Sequence, residues 1–509
     1  MIRLIPLGFL ANGDDEGGVG EYFELFSPCI RDYPHFDLHE EHNITRKYDI
    51  LLRIMRKNLS PWLHQLDKER TSVRLDRDLS ADITIIGAGI AGIATAFYAL
   101  KHTQKRVVVL ERFKLAHGAT GHNAGQIVSY FERGFASMVD EFGLEMAAEG
   151  EGAIEDAWEL LDEMYTDADL DIPLSRFTGH AGLVSYQQIL WHLKANLLRR
   201  KAGGLHTRAL LISEKADFVR DIPREYAGLY SLVSKKEILE LLETELNDFC
   251  AVLSYQKGCV NSALFCQEVV LYLAKKYPDR FALYEHTPVN KLILRSDHAL
   301  LDAESHTVTT DRVVLCTNGF ESIHIINETG LGIDAKYHHL VSGEIGYMSG
   351  YLENLNKPPI AISYYTNPTA NFESPYYYLT RRPYEYEKGS HHNLISVGGP
   401  GVKVEEGSPY AFEDDFPDSA EEEIDAFVRK VYNIDPNKKI DYVFTWHGLM
   451  GYTKNGIRLI GPEPQNPVLL YNLGCNGIGI LPSIYGGRKV AHILSGEKLP
   501  PSIFDVPPR

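Results

Sequence analysis

Cysteine is scarce, and no two cysteines stand at metal or redox spacing. The six, Cys29, Cys250, Cys259, Cys266, Cys316 and Cys475, are spread over 509 residues without a C-x-x-C pair. This excludes a disulfide scaffold and a cysteine zinc site, and predicts free thiols in a reducing compartment. Positive charge is also short: 51 Lys and Arg face 69 Asp and Glu, for a formal charge of −18. A nucleic-acid partner needs a basic footprint and an anionic membrane attracts basic segments, so neither partner is expected. The apolar run in MIRLIPLGFLANGDDEGG is too short to span a bilayer and lacks a cleavage pattern. A cytoplasmic location is therefore expected. No internal repeat or low-complexity tract is present.

What remains is an ordinary globular composition, 44% hydrophobic and 24% charged, enough for roughly two to four domains. His35 and His39 in HFDLHEEH would share a helix face at i, i+4, with His42 nearby. The segment reads as a solvated polar helix end, and no metal is expected. Residues 141–164 read as one long acidic amphipathic helix. Residues 186–201 read as a second helix with a solvated basic face. Residues 292–320 read as short strands ending at a glycine, and 340–400 as an antiparallel sheet.

The strongest local signal is ADITIIGAGIAGIATAFYALKHTQKRVVVLE. A buried strand runs into Gly87, Gly89 and Gly92 at G-x-G-x-x-G spacing. The first glycine permits the turn, the second lets backbone approach a pyrophosphate, and the third lets helix and strand pack closely. Ile90 and Ala91 open the helix, whose amides would face the phosphates. A second strand ends in Glu111, nineteen residues past Gly92, placed to accept from ribose hydroxyls. Glu111 disfavours a 2′-phosphate. No second G-x-G-x-x-G exists, and the loop from Arg112 onward is rich in Gly, Ala and Thr. Both features favour FAD over NAD.

With these blocks in view, residues 61–509 resemble the FAD-dependent amine and amino-acid oxidoreductases of the D-amino-acid oxidase/glycine oxidase type. The fingerprint carries part of the likeness. ATGHNAGQ resembles the family's flavin loop, with Ala119, Thr120, His122, Asn123, Ala124, Gly125 and Gln126 toward the cofactor. The passage from Gly258 through Val289 to VVLCTNGF would set Val289, Thr317, Asn318 and Gly319 near the dinucleotide. The block WHGLMGYT…NLGCNGIGILPSIYGG resembles the family's last strand, glycine turn and helix, with Gly451, Gly477, Ile478, Gly479 and Ile480 at the flavin. A helix starting near Pro482 would turn its positive end to the flavin.

The resemblance implies an α/β chain with a discontinuous Rossmann-type FAD-binding domain from 81–180, 255–335 and 440–509. A mixed, largely antiparallel substrate domain would come from 181–254 and 336–439, and residues 1–80 would form an N-terminal extension. It also implies hydride transfer from a carbon beside nitrogen to flavin N5, then imine hydrolysis, with oxygen or another compound as electron acceptor. The partner is a small molecule.

His122 has two readings. In dimethylglycine dehydrogenase-like members a His in H-x-A-G context carries the flavin covalently. In gamma-glutamylputrescine oxidase-like members the loop has no tether there. The sequence fits both. For the substrate, Tyr364, Tyr365, Tyr377 and Tyr378 could wall a pocket. Strand alternation puts Tyr376, Tyr378, Thr380 and Arg382 on one face, and Tyr377, Leu379 and Arg381 on the other. Tyr378, Arg382 and His447 are the catalytic candidates. Met450 and Leu481 stand where family members carry a carboxylate-clamping Arg or Lys. That favours an amine, or an acid held by Arg381, Arg382 or Arg458. Competing readings are flavin oxidation of a non-amine, such as a hydroxy acid, and a binding or assembly protein that retains FAD.

Overall fold

The computed structural model describes residues 58–507 apart from 320–322, 331, 334–340, 369–375, 400 and 406–409. The His35–His39 pair and Cys29 lie outside the described residues. Among those described, five cysteines are free thiols. Among the described residues no His/Cys/Asp/Glu cluster could hold a metal, and no helix is long and apolar enough to cross a membrane.

Two sheets organise the described residues. At the centre of the first, the strand Leu79–Ile86 pairs in parallel with His306–Leu315 on one side and Val107–Leu110 on the other. Phe281–Tyr284 and Asn466–Leu473 continue the parallel layer at its two flanks. Val107–Leu110 is buried at all four positions, as a strand covered on both faces must be. This is a doubly wound α/β layer, and its strand order reverses beside Leu79–Ile86, where such sheets bind ligands beyond the strands' carboxyl ends.

The second sheet is mixed and largely antiparallel, built around Ser175–Leu183, Ala251–Cys259, Val341–Asn354, Tyr377–Glu385, His391–Gly398 and Tyr442–Thr453. Segment boundaries at 180, 255 and 440 therefore fall differently in space. Ser175–Leu183, Ala251–Cys259 and Tyr442–Thr453 all belong to this second sheet.

Two helices tie the nucleotide layer together. Ile90–His102 is buried along eleven of its residues, so it is a core helix and not a surface one. Ile480–Leu494 lies against it at Gly487, where a Cβ would come within 2.7 Å of the Ala94 and Thr95 backbone. Asn472 locks the pair: its Nδ2 donates to Ser483 O at 3.1 Å and to Thr95 Oγ1 at 3.3 Å. The two N-termini are thus fixed relative to each other by packing.

Three sequence expectations change. The single helix over 141–164 is replaced by Phe135–Phe142, Leu144–Glu155 and Ala157–Ala168. Gly143, at φ +81, ends one and caps the next, a conformation that side chains resist. The helix Tyr186–Ala202 does start on a capping box at Ser185 and Gln188, but its basic face is not all solvated. Arg199 is fully buried, paired with Glu151 and, at 2.7 Å, with Glu155. Finally, residues 58–80 are no free extension. Trp62 is fully buried, and Leu59 bridges to Thr445 of the second sheet.

Candidate functional site

One large cavity, about 1600 Å³, runs between the two sheets. It exceeds the ~300–1,000 Å³ of an ordinary small-ligand pocket, so it has room for a dinucleotide and a substrate together. Gly87, Gly89 and Glu111 line it at the first glycine turn, and Gly477, Gly479 and Ile480 at the last. Both glycine turns therefore open onto the same space.

The first turn is compressed. A Cβ on Gly92 would lie 1.9 Å from Gly87 O, and one on Gly87 would meet Cys316 O at 2.7 Å. Glu111 is held by two backbone amides: Ala88 N donates to its Oε2 at 2.8 Å and Phe113 N to its Oε1 at 2.9 Å. Burial pushes its carboxyl pKa up and those amides pull it down. Two amides leave carboxylate lone pairs for a ribose diol.

The helices suit an anionic ligand. Ile90–His102 and Ile480–Leu494 each begin at a glycine N-cap, which has no side chain to cap with, and have no acid in the first turn; Ile90 N is taken by Thr120 Oγ1 at 3.0 Å. Both ends thus present positive dipole without a competing carboxylate. Asn318, at φ +65, stitches the last turn in place. Its Oδ1 accepts from Cys475 N at 2.9 Å, and Asn476 N donates to Gly451 O at 2.8 Å.

His122 lines the cavity and stacks on Phe412, ring centroids 5.1 Å apart. Its Nδ1–H donates to Gly118 O at 3.0 Å, and burial holds its pKa down to about 4, so the imidazole is neutral.

Of the residues expected at the cofactor, Ile90, Ala91, Arg112, Ala119, Thr120, Asn123, Ala124, Gln126, Val289, Thr317, Asn318 and Ile478 also line the cavity. Gly92, Gly125, Gly319 and Gly451 do not; they permit backbone approaches behind it. Gly125 makes room for the Trp62 ring, Gly319 for Val341 and Gly451 for Asn318.

The substrate expectations need more correction. Tyr376 and Tyr378 line the cavity. Tyr364 turns away to donate to Leu242 O at 2.9 Å, and Tyr377 stacks on Phe427 at 3.9 Å. Tyr365 also lies outside the lining, stacked on Tyr376 at 4.6 Å. Arg382 shares the face of Tyr378 but lies four residues along the strand, ~13 Å away at ~3.3 Å per residue. It ends buried over the Trp62 ring, at 5.0 Å, outside the lining. His447 also lies outside it, its Nδ1 facing Tyr410 Oη at 3.1 Å and its Nε2 facing Asp414 O at 2.9 Å. Arg381 grips Glu243 with two bonds of 2.6 and 2.7 Å. Arg458 lines the cavity and spends three of its five donors on Asn472 Oδ1, Asn472 O and Gly474 O.

Sequence reasoning passed over Glu132, Glu344, Met348 and Tyr452, all of which line the cavity. Glu132 sits six residues beyond Gln126 with no local pattern to mark it; only its tertiary contact with Tyr376 does.

The profile of a family described as FAD dependent oxidoreductase matches residues 82–493. The Bacillus subtilis (strain 168) protein YhfW, named for a Rieske 2Fe-2S iron-sulfur centre, is 25% identical over 301 residues, which is 57% of this chain. That match spans only 50% of the relative's length. Among solved structures, L-proline dehydrogenase from P. horikoshii superposes with a TM-score of 0.60 at 15% identity, covering 83% of this chain and 95% of that one. L-alpha-glycerophosphate oxidase from Mycoplasma pneumoniae, solved with FAD bound, gives 0.56 at 15%, covering 84% and 99%. At such identities the likeness is one of fold, and the fold serves proteins named for different substrates.

Proposed function

This chain belongs to the FAD dependent oxidoreductase family, and on that premise we propose that it oxidises the C–N bond of a small amine lacking an arginine-clamped carboxylate. The cofactor is FAD. When bound it supplies a hydride acceptor for the carbon beside the substrate nitrogen. Glu111 and the amides opening Ile90–His102 would hold its adenosine diphosphate part. Those opening Ile480–Leu494 would face its ring, where negative charge grows on reduction.

The observation that supports an amine is the commitment of the arginines. Arg381 is tied to Glu243, Arg458 lines the cavity but has three of its five N–H donors on Asn472 and Gly474, and Arg382 lies outside the cavity lining. Arg381 and Arg382 offer no grip on an α-carboxylate in the cavity, and Arg458 keeps only its two remaining Nη N–H groups for one. The walls near the last glycine turn are instead Tyr376, Tyr378, Tyr452, Met348 and Met450, which exclude water and favour an apolar carbon chain.

Anaerobic mixing of the yellow holoprotein with primary and secondary amines should bleach the flavin, with glycine, L-alanine and L-proline at least ~10-fold slower. Bleaching by hydroxy acids alone would replace this reading with alcohol oxidation. No bleaching by any of them would leave an FAD-retaining binding protein. Oxygen uptake during turnover tells whether oxygen or another acceptor takes the electrons.

The same reading has FAD held without a covalent bond. The His122 ring is held on both sides, stacked on Phe412, with Nδ1–H on Gly118 O and a further backbone hydrogen bond to Asn58. Acid precipitation should leave all yellow colour in the supernatant, while a yellow pellet that fluoresces under ultraviolet light would mean a tether.

A further inference from the structure

Glu132 is one of the cavity-lining carboxylates that the sequence did not mark. It lies beyond the strand Gln126–Val128, beside the last glycine turn: a Cβ on Gly477 would meet Glu132 Cγ at 2.9 Å and Tyr452 Oη at 2.8 Å. The hydroxyl of Tyr376 donates to its Oε1 at 2.9 Å. The neighbouring Arg133 is turned to Ser137, to Asn455 O at 3.0 Å and to Glu141 at 2.6 Å. Lys257, the cation that acts on Glu132, is fully buried outside the cavity lining, with its Nζ on Ser363 Oγ at 3.2 Å. Arg112, Arg133, Lys403, Lys454 and Arg458 also line the cavity, but the cation acting on Glu132 is the buried Lys257; a buried acid facing an aromatic wall is costly, and a positively charged ligand would offset that cost. Tyrosine rings beside it add cation–π attraction.

We propose that Glu132 receives the ammonium group of the substrate and takes its proton before oxidation. This rests on the amine reading above. An alkylammonium has a pKa of ~10.4, so only ~10⁻³ of it is neutral at pH 7. Hydride can leave carbon only when the nitrogen lone pair is free. The N–H bond therefore breaks, its electron pair stays on nitrogen, and the proton forms an O–H bond on Glu132. Burial pushes the Glu132 carboxyl up to about 7, against the lowering by Tyr376 and Lys257, while Glu344 adds a smaller rise. The other groups around it are Tyr130, Tyr365, Tyr378 and Tyr452. A base titrating near the working pH is well matched to this transfer.

The test is anaerobic reduction of the holoprotein by n-butylamine and benzylamine from pH 6 to 10. The wild-type limiting rate should rise through a limb near pH 7. Glu132→Gln should be slower by about 100-fold at pH 7, with the deficit closing toward pH 10 as the amine loses its own proton. It should also raise the amine's Kd, and Glu132→Asp should restore part of the rate. Tyr376→Phe should move the limb to higher pH, because the donor that lowers the carboxyl's pKa is gone. Flavin content and spectrum report folding; if Glu132→Gln loses its flavin, the Tyr376→Phe limb still decides. A Glu132→Gln rate equal to wild type, a deficit constant from pH 6 to 10, or an unmoved Tyr376→Phe limb would overturn the role of Glu132 and leave amine oxidation standing. A wild-type flavin that no amine reduces would overturn both.

Discussion

Gly92→Val should purify colourless and take up no FAD, while Gly118→Ala, also on the path of the cofactor, should stay fully yellow. The first substitution sets a Cβ 1.9 Å from Gly87 O, closer than any non-bonded pair tolerates, whereas a Cβ on Gly118 meets nothing within 4 Å. The clash is between Cβ, whose position no rotamer changes, and a backbone oxygen. The turn cannot retreat either, because Gly87 already sits against Cys316 O. The strand Leu79–Ile86 and the helix Ile90–His102 must therefore separate, which carries the helix amides off the phosphate path. Overpacking of this kind costs ~1–3 kcal/mol or more in stability, and loss of a ligand that binds only the native state adds to it. The ratio of flavin to protein, and the rise in Tm when FAD is added, measure both parts. A Gly92→Val protein with a full flavin complement would mean that this turn is not the dinucleotide seat.

The legible parts of this molecule are those set by chain-local spacing. Gly87, Gly89, Gly92 and Glu111 announce themselves because turn, helix and second strand follow one another within a single β–α–β unit. The last turn is similar: Gly479 lies directly before the helix Ile480–Leu494, and glycine there has few other reasons. What alternation cannot give is distance along a strand. It put Tyr378 and Arg382 on one face correctly, yet only Tyr378 reaches the cavity. Nor can it show which face of the sheet another element covers. Tyr364 and Tyr377 pack toward Phe427, a residue from the helix Asp418–Tyr432 more than forty positions on. Gly143 broke a helix that hydrophobic periodicity alone would have continued, because a positive φ is invisible in composition. Glu132 was illegible for the most basic reason: its meaning lies in one hydroxyl from Tyr376, 244 residues away.

Trp62→Ala is expected to lower stability by ~3–5 kcal/mol, a fall in Tm on the order of 10 °C, and to weaken FAD binding with it. The indole is fully buried, edge-on to Trp446 at 6.4 Å and beneath the Arg382 guanidinium at 5.0 Å. Its Nε1–H donates to Asn123 O at 2.6 Å. The absent Cβ of Gly125, which would lie 2.6 Å from the ring, makes room for it. Asn123 and Gly125 belong to the same loop as His122, so the indole props the loop from behind while its other residues line the cavity. Removing it leaves a void under that loop and exposes Arg382, whose Nη1 already lacks a hydrogen-bond partner, to an apolar hole. Trp62→Phe separates the two contributions: it keeps most of the ring and loses only the donor to Asn123, so about a third of the loss should remain. If Trp62→Ala instead keeps both its Tm and its flavin, the segment before the first strand is ornamental, and the loop must be held by Asn123 and Ser262 alone, whose side chains meet at 2.8 Å.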